Sequence, residues 1–210
     1  MYIVIAGGGE MGGELARALE KTHDVVVIDR NPQARERFAS WDVKVVVGGA
    51  TDPDTLREAG VDRADLFVAS TDSDEINLLA SLLAKGLGAK EAFCFVGKGG
   101  YVEVPLDPRP AEILGTRIDR VLWPQRAMAR EIVEVILVPW AVDTEVLAGG
   151  RLRFVEYRVK EGGEYVHRLL SGEKWPEGVL LAGVVREGTF LSFAHPEFPE
   201  LILEPGDKLL

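Results

Sequence analysis

Apolar and polar positions fall into two alternating patterns through the first 123 residues of this 210-residue chain. One pattern is the unbroken apolar run: Ile3-Val4-Ile5 within Tyr2–Ala6, Val25–Ile28 within Asp24–Asp29, and Val45–Val47 within Val43–Gly48. A strand with one wet face alternates apolar and polar residues. Continuous runs therefore mark strands covered on both sides, as in a parallel sheet flanked by helices. Asp65–Ser70, Ala92–Val96 and the shorter Arg120–Trp123 extend the series. The other pattern is helical. The first such stretch runs from about Glu10 to Lys21, and a second opens at Asn31-Pro32, with Asn as cap and Pro at the first helical position. A third is capped by Thr51 or Asp52, begins at Pro53 and closes at Gly60; a fourth covers about Asp74 to Lys85, with Gly88 beyond it. This repetition predicts an α/β fold, a Rossmann-like doubly wound parallel sheet over residues 1–123.

The pattern changes at Pro124. Gln125 to about Val138 reads as one more helix, with Met128, Ile132, Val135 and Ile136 at helical spacing, before the helix-breaking Pro139. Residues 124–141 stand apart as a segment whose apolar positions read as a dimer or domain seam. From 142 to 210 the strand-like runs Arg153–Val159, Val179–Val185, Phe190–Phe193 and Leu201–Leu203 are separated by Gly-rich turns. They predict a small β-rich α+β C-terminal domain.

Charge narrows the partners. The chain carries 24 basic and 34 acidic residues, a formal net charge of −10, and the excess is spread over both halves. Without a basic patch there is little to attract a phosphate backbone, so nucleic acid is not an expected partner. The single cysteine, Cys94, cannot form an internal disulfide, which fits a reducing compartment. The start, MYIVIAGGGE, lacks a basic leader, and no apolar run approaches the roughly 20 residues needed to span a bilayer. A cytoplasmic protein is expected.

The chemistry concentrates after the first strand. Gly7-Gly8-Gly9-Glu10-Met11-Gly12 fits G-x-G-x-x-G and joins a strand to a helix. In that setting the first Gly permits the tight turn, Gly9 lets backbone approach a pyrophosphate, and Gly12 lets helix and strand pack closely. The amides at the helix N-terminus then face the phosphates. Asp29 ends the second strand, where its carboxylate can accept hydrogen bonds from both hydroxyls of an adenosine ribose and would repel a 2′-phosphate. NAD or an adenine nucleotide is thus favoured over NADP, with the neighbouring Arg30 softening that preference. Glu10 carries charge near the phosphates and is expected to point away or to bond a ribose.

Further along, Gly48-Gly49-Ala50-Thr51-Asp52-Pro53-Asp54-Thr55-Leu56-Arg57-Glu58-Ala59-Gly60, Ala64–Thr71 and Asp74–Ala80 follow one another at a distinctive spacing. With the Pro-led helix at 124 and the closing Pro205-Gly206-Asp207-Lys208-Leu209-Leu210, they resemble the Trk/Ktr-type potassium-uptake regulatory proteins (TrkA family), built from RCK (KTN) N- and C-domains. The resemblance implies a cytoplasmic regulatory subunit, peripheral at the inner face of the membrane. Its partner would be a separate membrane potassium transporter or channel subunit, and it would form a homodimer or higher homo-oligomer, with residues 124–141 as a linker and dimerisation helix. The resemblance also places Gly7 to Met11 at the phosphates, Asp29 at the ribose, Ala50 and Thr51 beside the adenine, and Ser70-Thr71 over the middle of the cofactor. Family members often carry an acid where this chain has Gly49, and ATP-selective relatives an Arg where it has Gly13; NAD(H) is therefore favoured, with ATP or ADP as the alternative. Nearby Asp52 reads first as a helix cap. Lys98 stands one position from the basic residue that the family places at the end of the fifth strand.

The alternative of a different class is a small NAD-dependent oxidoreductase. It needs an acid/base beside the nicotinamide. His23 falls at the sheet end opposite the crevice, and His167 and His195 fall in the C-terminal segment. No C-x-x-C, H-E-x-x-H or G-x-S-x-G occurs. No metal site is expected, and Asp72-Ser73-Asp74-Glu75 reads as a capped helix start. A non-enzymatic regulator is the expectation.

Overall fold

The computed structural model describes residues 1–103, 117–138, 140–172, 175 and 177–210. Pro139 and most of the stretch between Gly99 and Arg117 lie outside the described residues. Two compact units emerge, Met1–Ala127 and Met128–Leu210.

The first unit holds strands β1 (Tyr2–Ala6), β2 (Asp24–Asp29), β3 (Val43–Val47), β4 (Leu66–Ala69), β5 (Glu91–Phe95) and β6 (Arg120–Leu122) in the order β3-β2-β1-β4-β5-β6. Every pairing is parallel. The intervening helices are α1 (Glu10–Leu19), α2 (Ala34–Arg37), α3 (Pro53–Glu58), α4 (Asp74–Leu87) and α5 (Gly100–Glu103). The unbroken apolar runs have the predicted cause. Val4, Val26, Ile28 and Val46 pack into one buried cluster with Leu56, Phe67 and Ala80. Their neighbours Ile3, Ile5, Val25 and Val27 pack into another with Ala16, Phe38 and Val68. Successive side chains point to opposite faces of a strand, so only apolar residues suit a strand buried on both.

Caps set the helix starts. Asp52 accepts hydrogen bonds from the Asp54 and Thr55 amides (3.4 and 3.2 Å) and from the Thr55 hydroxyl at 2.6 Å, with Pro53 opening α3. Ser73 caps α4 through the Ile76 amide, and α4 ends at the left-handed Gly88. The stretch opened by Asn31-Pro32 turns out shorter than predicted. Asn31 Oδ1 accepts from the Gln33 amide at 3.0 Å, a local turn that delays α2 to Ala34 and leaves it four residues long.

The second unit begins in helix α6 (Pro124–Leu137), which crosses the division between the units. Its sheet runs β10-β9-β11-β8-β7, with β7 Asp143–Leu147, β8 Leu152–Arg158, β9 Gly183–Arg186, β10 Thr189–Ser192 and β11 Lys208–Leu209. All of its pairings are antiparallel. Leu201–Leu203 contributes only an isolated bridge, Ile202 to Leu169. The closing Pro-Gly-Asp motif turns through Gly206 (φ +98°) and buries Asp207, whose carboxylate takes Arg186 Nε and Nη2 at 2.8 and 2.6 Å and the Glu204 amide at 2.8 Å. Burial acts to raise this carboxyl, but the Arg186 and Glu204 hydrogen bonds and the guanidinium charge outweigh it and hold it below its ordinary range.

Candidate functional site

In a doubly wound sheet the crevice forms where the strand order reverses, outside the carboxyl ends of the strands. That point here lies between β1 and β4, and a cleft of about 400 Å³ opens there. The β1 end supplies Gly7 and Gly9, β2 supplies Ile28, Asp29 and Arg30, and β3 supplies Gly48, Gly49, Ala50 and Thr51. Ser70, Thr71 and Asp72 enter from β4 and Ile76 from α4. Residues up to 69 positions apart in sequence, from Gly7 to Ile76, thus converge on one wall.

The glycine loop is shaped by contact. Gly7 has φ +101°, and a Cβ there would stand 2.8 Å from the Ser70 carbonyl oxygen and 2.9 Å from the Thr71 amide nitrogen. A side chain at Gly12 would overlap the Gly7 carbonyl, so α1 can start this close to β1 only with glycine there. At Gly9 nothing lies within 4 Å, which leaves its backbone open to a ligand. Gly8 is used by the protein itself. Its amide donates to Asp29 Oδ2 at 2.8 Å, its carbonyl accepts from Arg37 Nη1, and Phe38 and Asp29 pack over it.

Asp29 is held at both oxygens, Oδ1 accepting from the Asn31 amide at 2.8 Å. Each oxygen keeps a further lone pair for a hydroxyl donor. Arg30 reaches the opposite rim, Nη2 lying 3.1 Å from Asp72 Oδ2, with both side chains mostly exposed. Such a pair contributes little to stability, and either partner is free to re-pair.

Ser70 Oγ lies 3.3 and 3.4 Å from the Ala6 and Gly7 carbonyls. Thr71 is fixed by Asn77, a residue the sequence reading did not single out as functional. Asn77 Oδ1 accepts from the Thr71 amide at 2.8 Å and hydroxyl at 2.6 Å, while Nδ2 donates to the Thr71 and Phe95 carbonyls at 3.1 and 3.0 Å. At 1% exposure it is a buried joint between the ends of β4 and β5. The available signal was an asparagine on the apolar side of α4, a position that needs partners.

Five expected residues stand off the cleft wall. Gly8 and Gly12 lie beneath it in the packing just described, and Glu10 and Met11 are exposed on the first turn of α1. Lys98 follows β5, its amide on Asp74 Oδ2 at 3.0 Å and its ammonium 6.0 Å from the centre of the Tyr101 ring. The glycines at positions 13 and 49 are roomy. A Cβ at Gly13 would meet nothing within 4 Å, and one at Gly49 only Asp52 Cβ at 3.8 Å. Cys94 is buried in β5, and that burial raises its thiol to about 11, far from a reactive thiolate. Among the described residues, no cluster of three or more His, Cys, Asp or Glu is arranged to hold a metal ion, and no helix is long and apolar enough to cross a membrane.

Residues 3–96 match the family model described as the TrkA-N domain. Over 211 aligned residues the chain is 36% identical to the Trk system potassium uptake protein TrkA homolog of Archaeoglobus fulgidus, an alignment covering all of this chain and 46% of that protein. It spans about half the length, or less, of the curated relatives it matches. Among solved structures it is similar to the GsuK channel at 22% identity and a TM-score of 0.63, covering 99% of this chain and 36% of that one. The GsuK channel bound to NAD aligns at 22% identity over the same shares, with a TM-score of 0.59. These likenesses extend the Rossmann-like assignment and the small second unit to a known fold.

Proposed function

We propose that residues 3–96, which match the TrkA-N family model, are a nucleotide-binding domain and that the chain is a regulatory component of a potassium-uptake system. The observation that carries the nucleotide reading is the convergence of Gly7, Gly9, Asp29, Ala50, Thr51, Ser70 and Thr71 on one cleft at the reversal of strand order. NAD(H) is the favoured ligand, with ATP or ADP as the alternative. Gly7, Gly9 and the first turn of α1 would take the phosphates, Asp29 the adenosine ribose, and Ala50-Thr51 the adenine.

The potassium role rests on the named relatives. The partner would be a separate membrane transporter or channel subunit, met from the cytoplasmic side. Residues 1–123 would bind ligand and 142–210 form the second domain. The segment 124–141 would make a symmetric contact through its helix α6, which exposes Met128, Ile132, Val135 and Ile136 on one side. Gating can draw only on the difference in ligand affinity between two assembly geometries. Titration calorimetry with NADH, NAD, ATP and ADP tests the nucleotide reading. Micromolar binding that Asp29→Ala removes supports it; no heat from any of the four refutes it.

A further inference from the structure

A doubly wound sheet in this strand order offers two mononucleotide halves, one over β1–β3 and one over β4–β6. The cleft draws on the first half and the end of β4; among the described residues, its lining includes none from β5, β6 or the chain that follows them. Asp74 reaches the chain leaving β5, Oδ1 accepting from the Gly97 amide at 2.7 Å and Oδ2 from the Lys98 amide at 3.0 Å. Successive amides converging on one anion are how loops hold a ligand's charged group. Here the anion is the chain's own carboxylate. Two neighbours secure it: Glu75 Oε1 accepts from the Tyr101 hydroxyl at 2.6 Å, and Asn77 Nδ2 holds the Phe95 carbonyl. The Tyr101 bond, with the Glu75 amide and Ser73, holds the Glu75 carboxyl down at about 2.

Resting on the nucleotide reading above, we propose that Asp74 closes the second half-site, so that the cleft grips a ligand by its adenosine 5′-diphosphate portion and leaves whatever is esterified to the second phosphate in solvent. The ligand class is adenosine diphosphate and its esters. The chain then registers the nucleotide and is blind to the oxidation state of a nicotinamide. Asp74 is the specificity-determining residue, acting by occupying donors that a second ribose would otherwise use.

The test titrates the full chain with ADP-ribose, NAD, NADH and nicotinamide mononucleotide. Dissociation constants for the first three within fivefold of one another, with no binding of the mononucleotide at millimolar concentration, are expected. A preference beyond fivefold for NAD or NADH over ADP-ribose or over each other, or binding of the mononucleotide, overturns the proposal. Binding of none of the four refutes the nucleotide reading instead. In Asp74→Ala the freed amides should improve NAD relative to ADP-ribose by about fivefold, one hydrogen bond's net worth; an unchanged ratio removes Asp74 from the account. Asp74→Asn, which keeps an acceptor on the Gly97 amide but sets an N–H against the Lys98 amide, should shift the ratio in the same direction by less than Asp74→Ala and controls for folding.

Discussion

Asn77 gives the sharpest quantitative expectation. Replacing it by Ala removes four hydrogen bonds, leaves the Thr71 amide and carbonyl without their Asn77 partner, and leaves the Phe95 carbonyl with the weak Cys94 thiol contact at a buried site. Each orphaned buried group costs about 1–3 kcal/mol, and a typical net hydrogen bond about 1 kcal/mol. The adjoining cleft can deliver water to part of the vacated space, which favours the lower end for each group. Summed that way, Asn77→Ala should lose about 3 kcal/mol, equivalent to a fall of roughly 6–12 °C in Tm for a chain of this size. Urea unfolding followed by tryptophan fluorescence, with calorimetry, reads both numbers. Nucleotide affinity should fall in parallel, since Thr71 loses its anchor. Asn77→Asp separates the contributions: it keeps the acceptors for the Thr71 amide and hydroxyl but removes both donors. A loss below about 1 kcal/mol in Asn77→Ala, with Thr71 amide exchange unchanged, would refute the view of this side chain as the joint between β4 and β5.

Other outcomes follow from the same geometry. Asp207→Asn should destabilise the second unit by about 2–4 kcal/mol at neutral pH, below the full figure for a buried pair because Arg186 is partly exposed. Because the folded-state carboxyl is held low, its stabilisation is present above the unfolded value near 3.9 and is lost as pH falls through the folded one; acid melts should show that loss in the unaltered chain and not in the variant. Gly13→Ala should raise stability by about 0.5–1 kcal/mol in a thermal melt, whereas Gly12→Ala, blocked by the Gly7 carbonyl, should be strongly destabilising and end nucleotide binding. Cys94 should stay unmodified by a disulfide reagent at pH 8 in the folded chain and react promptly in denaturant, as its raised pKa and burial require.

What was legible in the sequence follows from which signals are local. Strands buried on both faces leave no choice but apolar residues, so Ile3–Ile5 and Val25–Ile28 announce a parallel sheet unaided. Gly7 and Gly12 are dictated by a turn and a close approach only a few residues away, and Asp52 caps an amide three residues on. Asn77 is different: its partners Thr71 and Phe95 are brought to it by the fold, and helical periodicity sees only a polar residue out of place. In the second unit, β7 reads polar because much of it is exposed, and β11 is two residues long, too short for any period to show. Leu201–Leu203 carries strand-like residues, but its only β pairing is the single bridge to Leu169.

The twin amide bonds to Asp29 have a spectroscopic corollary. Gly8 and Asn31 each share a proton with this carboxylate, so any ligand whose hydroxyls compete for the same oxygens must weaken those two bonds together. Their amide resonances would then move upfield in step as the ligand is added, while amides away from the cleft, such as Asp24, which donates to the Met1 carbonyl at the start of β2, would barely shift. Isotope labelling at two backbone positions would therefore turn the protein into a gauge of its own occupancy, with no dye or partner attached.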